Sequence, residues 1–118
     1  MQGNHITFNW HVPGTLAANE TPVFAFPFDV TLLMVQAVGS NTNNAQIKCG
    51  YVGDDDAYLV LSDVGDANTP LAYDRDNFVG GENPHIAKDT PIVVYVDYDG
   101  SAGTAVQNLT VLLLFSEG

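Results

Sequence analysis

An all-β fold, an antiparallel β-sandwich of jelly-roll type with about eight strands, follows from three features of this sequence. Apolar and polar residues alternate with a period of two in several segments, and turn signals separate those segments at even spacing. No segment keeps a 3.6-residue period over three turns. With 118 residues the chain holds one core, so residues 1–118 read as a single sandwich domain with a short N-terminal arm, about residues 1–5.

From His5 to Val12 the alternation is strict, with Ile6, Phe8, Trp10 and Val12 on one side and His5, Thr7, Asn9 and His11 on the other. That pattern predicts a strand with one buried face, stopped by Pro13-Gly14. A second apolar segment runs from Pro22 to Phe28, and Pro27, which has no N–H for a ladder, places a kink or an edge in it. Val30 to Val38 is apolar or β-branched on both faces, which predicts a strand covered on both sides. Gly39 to Asn44 is a polar connector of the kind that joins antiparallel strands, and Gln46 to Val52 follows as a strand with Ile47, Cys49 and Tyr51 on one face.

Gly53-Asp54-Asp55-Asp56 reads as a charged corner before a short strand, Ala57 to Leu61. Ser62 to Ala87 is the least regular stretch, a loop with short strands expected around Leu71–Tyr73 and Asn77–Val79. Alternation returns from Pro91 to Tyr98, Asp99-Gly100 reads as a hairpin turn, and Ala105 to Phe115 is the last strand. Leu109, Val111, Leu113 and Phe115 share one of its faces, yet Leu112 and Leu114 make the other apolar too. A lone two-layer sandwich leaves the outer face of each sheet wet. The two-sided apolarity therefore calls for a cover, either the loop-rich middle or neighbouring subunits, and the second is the preferred expectation.

Acidic residues number 14 and basic ones 3, for a net charge of −11. Binding a phosphate backbone needs several Lys or Arg, and Lys48, Arg75 and Lys88 are all the chain has, so nucleic acid is excluded as a partner. Anionic membrane surfaces are disfavoured by the same charge. The longest apolar runs, Ile92–Val96 and Val111–Phe115, fall far short of the ~20 residues of a membrane helix. The N-terminal MQGNHITFNW has neither the basic nor the apolar region of a secretory signal, which predicts a soluble chain made in the cytoplasm. One cysteine, Cys49, excludes an internal disulfide and reads as a small buried hydrophobe.

No catalytic grouping emerges. His5 and His11 sit on one strand, roughly 20 Å apart at 3.3 Å per residue, and cannot share a metal or a substrate within one chain. There is no His-x-His pair, Cys-x-x-Cys, His-Glu-x-x-His or phosphate-binding glycine loop, so the expectation is no enzyme and no cofactor. Asp54, Asp55 and Asp56 are suitable material for calcium, although a solvated loop explains them more simply. Asp97-Tyr98-Asp99-Gly100 lacks the first acid and the final Glu of an EF-hand and reads as a turn. Among the aromatics, Tyr58 and Tyr73 flank irregular loops and have no evident place in the core.

PVFAFPFDVTLLMVQAV (residues 22–38) and PHIAKDTPIVVYVDYDGSAGTAVQNLTVLLLFSEG (residues 84–118) together resemble the small jelly-roll head decoration, or cement, proteins of tailed bacteriophages. The resemblance lies in a Pro-flanked apolar strand, the DYDG turn followed by Thr-Ala, and the closing strand, and it leaves out the middle of the chain. It implies a non-enzymatic homotrimer that binds the major capsid protein on the outer surface of the virion and fastens neighbouring coat subunits. The polar arm with Gln2, Asn4 and His5 would then reach the coat. The alternative is a carbohydrate- or receptor-binding module of a fibre or baseplate, using Tyr58 and Tyr73 with Asp54–Asp56 and calcium.

Overall fold

The computed structural model describes residues 4–118 and contains nine strands. These are β1 (His5–Thr15), β2 (Val23–Phe24), β3 (Val30–Val38), β4 (Gln46–Tyr51), β5 (Asp54–Asp63), β6 (Leu71–Tyr73), β7 (His85–Ile86), β8 (Ile92–Asp97) and β9 (Gln107–Glu117). One sheet has the order β1-β9-β3-β6, with β7 also on β3, and the other the order β2-β8-β4-β5. β6 and β7 pair with successive stretches of the same strand, β6 at Val35–Ala37 and β7 at Val30–Thr31, and so act as one interrupted edge strand. With that pair counted once, eight strands are divided four and four between two antiparallel sheets in the double Greek-key order of a jelly roll, each connection crossing between sheets except β4 to β5.

The alternation seen in the sequence is what fills the space between the sheets. Val30, Leu32, Val35 and Ala37 of β3 and Leu109, Val111, Leu113 and Phe115 of β9 are buried against Ile47 and Cys49 of β4, Leu59 of β5 and Ile92, Val94 and Val96 of β8. Phe8, Trp10 and Val12 of β1 lean on the same core from its edge, half-buried. At one end Phe8 stacks on Phe24 with ring centroids 4.0 Å apart, and Phe24 and Phe26 meet Phe115 edge-on at 6.1 and 5.0 Å. Edge-to-face rings put the positive rim of one against the negative face of the other, adding to simple burial. Cys49 is fully buried, and burial pushes its thiol up to about 12.

The local pattern is misleading in several places. Asp99-Gly100 is not a hairpin: β8 and β9 lie in different sheets, so the turn crosses the sandwich. Gly39–Asn44 crosses too, from β3 to β4. Asp54–Asp56 belong to β5 rather than to a corner, because β5 is an edge strand whose outward side chains stay in water. Asn77–Val79 forms no strand; a short 3₁₀ turn at Val79–Gly81 stands there, and β7 appears at His85–Ile86, where none was expected. The Pro22–Phe28 segment keeps just two residues in ladder geometry, Val23 and Phe24.

The middle of the chain does not cover a sheet. It sends Phe78, 3% exposed, into the core, and its remaining polar residues stay outside. The outward side chains of β3 and β9, Met34, Val38, Leu112 and Leu114, are thus left half-buried on the sheet surface.

Candidate functional site

Two surfaces carry the features that bear on function: the crossover end of the sandwich and the outer face of the β1-containing sheet. At the crossover end, the Asn-rich connector is built into the structure by side chains that mimic backbone partners. Asn41 Oδ1 accepts from Gln107 N at 2.9 Å while its Nδ2 donates to Ala105 O at 3.0 Å. Asn44 Oδ1 accepts from Thr104 N at 2.7 Å. Asn43, 7% exposed, donates from Nδ2 to Asn41 O and Gly65 O and accepts from Ala45 N at 3.0 Å. Its own N–H donates to Asp66 Oδ1. The β3–β4 and β8–β9 crossovers are tied to each other and to the turn after β5 in this way.

A cleft of about 740 Å³ opens beside this hub, lined by Asn44, Gln46, Asp63, Asp66, Thr69 and Leu71 among others. Asp66 is already committed to the Asn43 N–H. Nearby, Asp97 Oδ1 accepts from Gly100 N at 3.1 Å, and Asp99 Oδ1 accepts from Ser101 N at 3.0 Å. These carboxylates hold a loop in which Gly100, Ser101 and Ala102 all have positive φ, at 63°, 70° and 77°. Among the described residues no group of three His, Cys, Asp or Glu side chains stands close enough together to hold a metal ion.

Asp54, Asp55 and Asp56 stand in succession at the start of β5. Asp55 meets Lys48 at 3.2 Å, and the Lys48 ammonium also lies 4.6 Å from the centroid of the Tyr95 ring. When one of the two holds a proton, Asp54 and Asp56 hydrogen-bond to each other, which raises the Asp54 pKa from its ordinary value, helped by some desolvation and by the charges of Asp56 and Asp55. A shared proton favours the folded strand at low pH, and that contribution is lost as pH rises through the folded value. Asp56→Ala will therefore lower the pH at which Asp54 titrates, as followed by carboxyl carbon chemical shifts. An unmoved Asp54 would mean that the two carboxyls do not share a proton.

Tyr58 and Tyr73 are not brought together. Tyr58 lies on β5, half-buried, 6.0 Å from the Tyr51 ring, with its hydroxyl pushed up to about 12 chiefly by burial. Tyr73 lies on β6 opposite Val35, and its hydroxyl donates to Asp63 O at 2.7 Å. Both rings pack against the core, which accounts for them without a ligand. Gln2 lies outside the described residues. Asn4 is exposed but its carbonyl accepts from Glu117 N, so the β1–β9 ladder already reaches it, and His5 is the first residue of β1.

The outer face of the β1-containing sheet differs from the rest of the surface. Across β1, β9 and β3 its rows run Thr7–Leu114–Met34, Asn9–Leu112–Gln36 and His11–Thr110–Val38. At one end the row His5–Ser116–Thr31–His85 continues onto β7, where His85 Nε2 stands 3.7 Å from Asp29. Of the 14 carboxylates in the chain, Glu117 at the end of β9 is the one carried by a strand of this sheet. The strand assignments make this visible; in the sequence its trace is the absence of acids from His5 to Asn19 and from Val30 to Gly53.

Neither a known family's profile nor any curated protein sequence matches this chain. Among solved structures, a chain of the "Cyanophage Pam1 capsid asymmetric unit" superposes with a TM-score of 0.61 at 16% identity, covering 99% of this chain and 87% of that one. At that identity the likeness concerns the fold, and it covers nearly the whole of this chain.

Proposed function

We propose that this chain is a non-enzymatic structural protein of a phage virion, a homotrimeric decoration protein that binds the outer surface of the head and stabilises it. The observation that carries this reading is the end-to-end match of its jelly roll to a chain of a cyanophage capsid. The resemblance of residues 22–38 and 84–118 to phage head decoration proteins points the same way. A net charge of −11 keeps such a protein off packaged DNA and suits the outside of a shell. Several subunits engaging a lattice at once need only modest affinity each. The major capsid protein is then the partner, and the carboxylate-rich loops, rather than a cleft with converging reactive groups, are the chemistry offered to it.

The test is addition of the purified protein to empty heads assembled without it. Saturable co-sedimentation and a higher temperature of head disruption are expected. Heads that neither bind the protein nor gain heat tolerance would overturn the reading, and glycan binding lost in Tyr58→Ala or Tyr73→Ala would replace it with the fibre-module alternative.

A further inference from the structure

We infer that copies of this chain pack against one another through the outer face of the β1–β9–β3 sheet, with Leu112, Leu114, Met34 and Val38 at the centre of the contact. This rests on the self-association in the reading above and assigns it a surface. Two lines on that face agree. The first is apolar: Leu114 is directly opposite Met34, Leu112 follows Leu114 on the same face of β9 between Asn9 and Gln36, and Val38 stands one row further, opposite Thr110, so half-buried aliphatic groups cluster on this face among uncharged polar ones. Water against such a cluster is removed at a gain when a matching surface arrives.

The second line is charge, and it identifies the occupant. Two bodies of charge −11 repel in almost any orientation, and carboxylates brought face to face across a contact add desolvation to that repulsion. The strands of this sheet hold a single carboxylate, Glu117, at the end of β9. It is therefore the surface through which two copies can meet with the fewest opposed carboxylates. A basic partner would find almost nothing to pair with here and would be drawn to β5 and the acidic loops instead. The free edge of β1 adds direction, since its 11 residues pair with β9 on one side and contain no Asp, Glu, Lys or Arg to deter another strand.

Light scattering of the purified protein, with no heads present, tests the assignment. The expected result is a mass that is a multiple of 12.6 kDa, with association that tightens from 50 to 500 mM salt as long-range repulsion is screened. Asn9→Glu introduces a carboxylate at an exposed position opposite Leu112, where the monomer fold tolerates it. It should weaken association by about tenfold or more, the equivalent of 1.4 kcal/mol. Leu112→Glu should do the same, whereas Asp54→Asn with Asp56→Asn should leave the mass unchanged. An oligomer indifferent to both face variants, or one that loosens as salt rises, would overturn the assignment while leaving self-association in place. A monomer that still binds and stabilises heads would overturn it and leave the virion reading standing.

Discussion

Phe115→Ala will cost the domain about 3–5 kcal/mol, a large share of the roughly 5–15 kcal/mol that holds a domain of this kind folded. Phe115 is fully buried on β9, the strand paired on both sides by β1 and β3, and its ring is met edge-on by Phe24 and Phe26. Removing it leaves a cavity where β2 and the chain just after it close over the sheet, and the Phe8–Phe24 stack loses its backing. Backbone pairing on either side of β9 resists collapse into that space, which places the effect toward the upper part of the range. Phe28→Ala, at the half-buried rim of the same cluster, will cost much less. Urea unfolding measures both, and the single buried thiol of Cys49 supplies an independent readout because it reacts only when the sandwich opens. A loss below about 1 kcal/mol for Phe115→Ala would refute the account of the aromatic cluster as a closing element.

Asn43→Ala is the second large effect, about 2–4 kcal/mol, and it arises from polar rather than apolar loss. The substitution leaves the Ala45 N–H buried without an acceptor and takes one donor each from Asn41 O and Gly65 O. Those two carbonyls keep other partners, Ala67 N and Gly39 N, so the orphaned amide accounts for most of the cost. Asn43→Asp separates the two roles of the side chain. It preserves the acceptor for Ala45 N but sets a charge against the carbonyls and beside Asp66, so it too destabilises at neutral pH. Its deficit should shrink as pH falls and the new carboxyl takes up a proton, regaining an O–H donor. Thermal unfolding of both variants across pH 4–8 distinguishes this from simple cavity formation, which would be indifferent to pH.

Strands were legible where burial is decided by the residue's own chemistry. Val30–Val38 and Leu71–Tyr73 stand at the limits read from the sequence, and the facing of β1 and β9 follows from alternation alone. Partners were not legible, because a turn rich in Asp, Gly and Asn serves a crossover as well as a hairpin. The Asp97–Ala102 turn differs from a hairpin turn in what lies beyond it, a strand of the other sheet, and no residue inside it encodes that. Three adjacent aspartates argue against a strand by propensity, yet an edge position lets β5 keep them solvated. Phe78 went unread for the opposite reason: it is a core residue in a stretch with no period, placed by the closure of the sandwich rather than by its neighbours in sequence.

For the candidate surface, the hub asparagines and the acid-free face were missed in different ways. Asn41, Asn43 and Asn44 looked like solvent-facing connector because nothing local shows that the amides of Asn41 and Asn44 find backbone partners 60 or more residues away, or that the Asn43 amide reaches Gly65 O. The acid-free face was countable in the sequence, but its meaning depends on knowing that β1, β9 and β3 lie side by side.

That arrangement also governs how the chain reaches its native state. β9, the last of these strands to be made, sits between β1, the first, and β3, so until residues 107–117 exist β1 has no neighbour in its layer and β3 has only the short strands β6 and β7. The nascent chain must carry β1 unpaired, and β3 paired on one side only, until β9 is made. Contacts between sequence-distant segments then form late and together, which places folding in the slow, millisecond-to-second class of high-contact-order β domains. A truncation within β9 would not trim an end of the molecule; it would remove the strand on which both neighbours assemble.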